Sequence, residues 1–160
     1  MKTFTFLAAT VMLLAPTLVH ADMEARLGDL VITGAWTRAT PSRAPTGAGF
    51  VTIENKGGSA DRLIGFRTPI SEKAQIHAMT MDNGVMKMRQ LEDGIAIPAG
   101  ETVTLEPGGN HLMFLQLKQG IEKDSAVPVT LVFETAGEVT LDFMAAPIGS
   151  RKPAEMHHKH

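Results

Sequence analysis

His77-Ala78-Met79-Thr80-Met81-Asp82-Asn83-Gly84-Val85-Met86-Lys87-Met88-Arg89-Gln90-Leu91 reads as two strand-like runs around a turn. Asn83-Gly84 is the decisive pair. Both residues tolerate positive φ, which a two-residue type I′ hairpin requires at both central positions. Alternation along a strand puts residues i and i+2 on one face, about 6.5–7 Å apart. His77, Met79 and Met81 then share a face of the first arm, and Met86 and Met88 share a face of the second. Closing the hairpin brings imidazole and thioether groups together.

Outward from this hairpin the same pattern recurs. Strand-like runs span Leu30–Trp36, Gly47–Glu54, Arg62–Arg67, Ala74–Met79, Val85–Leu91, Thr102–Leu105, His111–Leu117, Val127–Glu134 and Val139–Ala145. Turn-prone separators divide them, among them Asn55-Lys56-Gly57-Gly58, Glu92-Asp93-Gly94, Pro107-Gly108-Gly109 and Ala136-Gly137. No segment carries a long helical period with caps. About nine short strands predict an all-β chain folded as an antiparallel sandwich or barrel.

At 160 residues the chain has room for one domain. Residues 1–21 read as a secretory signal: Lys2 precedes an apolar run, and Val19-His20-Ala21 supplies a cleavage site. Residues 22–146 then form the β domain, and 147–160 form a flexible tail ending Met156-His157-His158-Lys159-His160. No later segment is apolar enough to span a membrane, so export to a bacterial periplasm is expected. A net charge of −2 argues against a polybasic surface for nucleic acid. Cysteine is absent, which excludes disulfide scaffolds, thiol catalysis, Cys-ligated zinc and blue-copper electron transfer.

The remaining chemistry is carried by Met and His. There are ten Met in the chain, and four fall within the hairpin. A second His-x-Met pair, His111 and Met113, lies in another strand-like run. Thioether sulfur is soft and uncharged and suits Cu(I); imidazole adds a stronger donor when neutral. Calcium and magnesium take oxygen ligands, and zinc takes His, Cys or carboxylate. Met is also a common core filler, so packing is the alternative role for each of these side chains. No phosphate loop or nucleophile elbow is present.

Several landmarks together resemble the PCu(A)C family of copper chaperones. They are Ala35-Trp36-Thr37-Arg38-Ala39-Thr40-Pro41, Gly47-Ala48-Gly49-Phe50, Ile53-Glu54-Asn55, His77-Ala78-Met79-Thr80-Met81, Gly84-Val85-Met86-Lys87-Met88-Arg89, Ile97-Pro98-Ala99-Gly100 and Pro107-Gly108-Gly109-Asn110-His111-Leu112-Met113. The resemblance implies a cupredoxin-like β-barrel that lacks a blue-copper site. It implies a periplasmic carrier, not an enzyme, that delivers Cu(I) to apo copper centres of cytochrome c oxidase or exchanges it with another periplasmic copper chaperone. The family's metal motif is His, ten residues, Met, twenty-one residues, then His-x-Met. Carried over by position, it implies His77, Met88, His111 and Met113 as ligands. Ten residues separate His77 from Met88, but twenty-two separate Met88 from His111, and the surplus residue is assigned to the Leu91–Gly94 turn. Met156, His157, His158 and His160 are weaker candidates, for Cu(II) in the tail. The alternative function is copper sequestration or resistance, with the same site and no specific recipient.

Overall fold

The computed structural model describes residues 24–154, so the expected signal and the His/Met end of the tail lie outside the described residues. The described chain is all-β. Its eleven strands are β1 (Ala25–Leu27), β2 (Leu30–Arg38), β3 (Thr46–Asn55), β4 (Asp61–Arg67), β5 (Ser71–Asp82), β6 (Val85–Gln90), β7 (Ile95–Ile97), β8 (Thr102–Leu105), β9 (His111–Leu117), β10 (Ala126–Phe133) and β11 (Gly137–Ala146). All nine expected strands are present. The two additions, β1 and β7, have three residues each, too few for alternation to be read.

One continuous sheet runs β6-β5-β9-β3-β2-β11-β10-β4-β7, with β1 added on β2 and β8 on β3; it does not close on itself. Pairing is antiparallel except where β11 lies parallel to β2, matching Met144 with Trp36 and Ala146 with Arg38. Strand β2 bulges between Thr33 and Trp36, where Gly34 takes φ +60°. A bulge of this kind sharpens twist and bends the strand.

The inward faces form one apolar core. Ile32, Ile53, Leu63, Ile97, Leu112, Phe114, Val129, Leu131 and Phe143 have no exposed surface. A smaller cluster of Trp36, Phe50 and Ala146 sits beside it, the two rings 4.5 Å apart. Residues 147–154, the first part of the expected tail, are tied to this cluster. Arg38 Nε donates to the Ser150 carbonyl at 2.6 Å, and Ala154 packs against the cluster.

Strands β5, β6 and β9 occupy one end of the sheet. Leu112 and Phe114 point into the core, so alternation sends His111 and Met113 to the other face of β9. In β5, Ile76 and Ala78 are buried, and His77 and Met79 take the opposite face for the same reason.

Candidate metal centre

The hairpin forms as the turn chemistry requires. Asp82 pairs with Val85, and between them Asn83 and Gly84 take φ +49° and +78°. The register then pairs Met79 with Met88, Met81 with Met86, and His77 with Gln90. Directly opposed residues of an antiparallel pair share a face, so all six lie on one side.

Strand β9 completes the arrangement. His77 is directly opposite His111, and Gln75 is opposite Met113. The two imidazole rings meet edge to face, centroids 5.8 Å apart. Met88, His111 and Met113 line one cleft of about 440 Å³, together with Met79. His77 stands beside His111 at its margin. The four candidate ligands, drawn from three strands, are thus brought together. Met88 and His111 line the same cleft across the twenty-two residues between them, and within that stretch Leu91 N donates to the Ile76 carbonyl and Gly94 N to the Leu91 carbonyl.

Hydrogen bonds fix which ring nitrogens are available. His111 Nδ1 lies 3.1 Å from the Gly109 carbonyl oxygen, which can only accept. Nδ1 therefore carries the proton, and Nε2 keeps its lone pair. His77 Nε2 lies 2.8 Å from Gln75 Oε1, likewise an acceptor, so His77 keeps its lone pair on Nδ1. That Nδ1 is buried and has no hydrogen-bond partner among the described residues. A hydrogen bond to the other ring nitrogen holds a ligating imidazole in tautomer and orientation. Burial, and after it the charge of a protonated His111, lowers the His77 pKa from its ordinary value. Both effects favour the neutral ring that a metal needs.

Exposure is graded across the set. His111 is buried, His77 and Met113 are half-buried, and Met88 is 48% exposed. The centre is therefore a rim site with one open side. Among the described residues no three His, Cys, Asp or Glu side chains form a metal-binding group, so the donors here are nitrogen and sulfur without carboxylate. Such a set fits a soft monovalent metal.

Sequence reasoning located the four candidates but missed Gln75 and the Gly109 carbonyl, whose roles depend on cross-strand register and loop path. The tail candidates Met156, His157, His158 and His160 lie outside the described residues. The segment leading to them passes the site, since Ile148 and Gly149 line the same cleft.

Comparison with known proteins bears on the fold and the family. The copper-bound PCuAC domain from PmoF2 superposes with a TM-score of 0.66 at 28% identity, covering 78% of this chain and 97% of that one. The apo PCuAC domain from PmoF1 gives 0.66 at 27%, covering 78% and 98%. The Cu(I) form of DR1885 from Deinococcus radiodurans gives 0.55 at 26%, covering 74% and 78%. Among curated proteins, "Putative lipoprotein Lxx21020" of Leifsonia xyli subsp. xyli is 32% identical over 102 residues, 64% of this chain and 60% of that protein. The chain thus spans less than two thirds of that relative's length. The model described as "Putative lipoprotein LpqE-like" matches residues 30–145, from the first residue of β2 to the penultimate residue of β11. Sharing a cupredoxin-like fold with the PCuAC domains, and matched over its whole sheet core by that model, the chain belongs to the LpqE-like family.

Proposed function

We propose that this chain is a periplasmic copper carrier that binds one Cu(I) through His77 Nδ1, His111 Nε2 and the sulfurs of Met88 and Met113. The observation that carries the reading is the buried, unpartnered His77 Nδ1 beside His111, at the margin of a cleft lined by two candidate thioethers. A buried polar atom without a partner costs about 1–3 kcal/mol. A metal ion bound there would offset that cost. The copper-bound state of two similar domains supports the choice of cargo.

The site suits transfer better than catalysis. Four donors occupy the positions Cu(I) uses, and none is left for a substrate. Met88 at the open side can yield to an incoming ligand, so copper passes by stepwise exchange. The recipient in this reading is an apo copper centre of cytochrome c oxidase, reached directly or through another copper chaperone. Release into the periplasm after removal of residues 1–21 belongs to the same reading. The tail residues Met156, His157, His158 and His160 would hold Cu(II), which accepts nitrogen donors in tetragonal geometry.

Transfer separates this reading from simple sequestration. The Cu(I)-loaded chain is mixed with an apo copper-binding fragment of the oxidase, and the fragment's metal is measured after separation. Copper in the fragment supports delivery. Copper retained by the carrier, with the fragment still competent to take free Cu(I), favours sequestration.

A further inference from the structure

The hairpin holds more sulfur than the cleft uses. Met81 is 65% exposed and Met86 47%, and they stand directly opposite each other at the hairpin's outer end. Every residue of β6 is exposed, and β6 pairs with β5 alone. Neither side chain therefore fills a core. The exposed large apolar residues among those described are Ile64, Met81, Val85, Met86, Met88 and Ile148, so four of the six belong to this one hairpin. Exposed apolar clusters of this kind mark interaction sites.

The chemistry of that face is specific. It carries His77, Met79 and Met81 on β5, and Met86, Met88 and Gln90 on β6, with no charged side chain. Lys87 and Asp82 pair with each other on the opposite face. Cβ atoms of opposed residues are about 4.5–5.5 Å apart, close enough for two flexible Met side chains to converge on one ion. Met79 and Met88 form the next opposed pair inward, and both line the cleft. A ladder of thioethers thus runs from solvent to the inner site.

We propose that Met81 and Met86 form a second, outer site for Cu(I), weaker than the inner one, through which the ion enters and leaves. The choice of ion rests on the function proposed above. The outer site has two neutral donors and no imidazole, so it binds less tightly and releases faster. Its position one rung from Met79 and Met88 lets sulfur replace sulfur without free Cu(I) reaching water.

The test is a titration of the exported chain with Cu(I), supplied without oxygen as its acetonitrile complex. The 13C-labelled methionine ε-methyl groups are followed by NMR. The first equivalent shifts the Met88 and Met113 methyls, and the second shifts those of Met81 and Met86. In the double variant Met81→Leu with Met86→Leu the first step is unchanged and the second is lost. Because both side chains are exposed, the variant folds as the parent does. A first step with no later movement of Met81 or Met86 overturns the outer site and leaves the inner one standing. A second equivalent retained by the double variant overturns it too, and makes the face an apolar contact surface. Shifts at Met81 and Met86 with none at Met113 uphold the outer site and overturn the inner one.

Discussion

At the level of single residues, the centre depends on which nitrogen of each imidazole is free. His77 and His111 are legible as candidates because they open His-x-Met pairs, but their tautomers are not, since the Gln75 side chain and the Gly109 carbonyl set them in three dimensions. Replacing Gln75 with Leu leaves His77 free to place its proton on Nδ1. Cu(I) affinity should fall about 10–100-fold, the usual cost of losing the hydrogen bond that orients a ligating imidazole, in competition with a chromogenic Cu(I) chelator. Proton competition gives a second test. With its pKa lowered, folded His77 stays neutral at pH values where the unfolded chain, titrating near 6.5, has begun to protonate. The unfolded state then binds more protons, so the metal-free fold loses stability as pH drops from about 6.5 through the lowered His77 pKa, and the loss ends below it. Proton competition for Cu(I) at folded His77 sets in only near and below that lowered pKa, and the loss of affinity should be partial, because thioethers do not titrate. Affinity that stays flat from about pH 7 down to about pH 4 would mean the imidazoles do not ligate.

At the level of elements, short-range pattern was a reliable guide wherever turn chemistry was sharp. Asn83-Gly84 set the β5–β6 register, and with it the pairings of Met79 with Met88 and Met81 with Met86. The bounds of His111–Leu117 are those the sequence reading sets, and within it Leu112 and Phe114 are buried while Met113 between them is partly open. Sequence did not show that Met81 and Met86 face solvent, because exposure depends on β6 having no second neighbour. The turn after β6, to which the sequence reading assigns the extra residue of the motif, has its own constraint. Gly94 takes φ +73°, and a Cβ there would lie 2.0 Å from the Leu63 carbonyl oxygen. Gly94→Ala should cost about 3 kcal/mol or more, read from the denaturant midpoint, since both strain and collision oppose it. A midpoint unchanged from the parent would show that the turn shifts freely.

At the level of the whole molecule, the parallel β2–β11 pairing and the path of residues 147–154 were beyond sequence reasoning. Both join segments more than one hundred residues apart, as in the bond between Arg38 and Ser150. The consequence is a tail that starts docked beside the cleft instead of leaving the domain at Pro147. Residues 155–160 can reach about 20 Å from that point when extended. Tethering near the cleft raises the local concentration of their donors there. Removing residues 155–160 while keeping Ala154, which packs on the Trp36 cluster, should abolish Cu(II) binding and leave Cu(I) binding intact. Isothermal titration with each ion checks this, and undiminished Cu(II) binding by the shortened chain would contradict it.

In the proposed centre two imidazoles and two thioethers hold Cu(I) at the junction of β5, β6 and β9. X-ray absorption at the copper edge, on the chain loaded with one equivalent of Cu(I), tests it directly. A mixed nitrogen and sulfur shell is expected. A shell of oxygen alone, or one without sulfur, would contradict it.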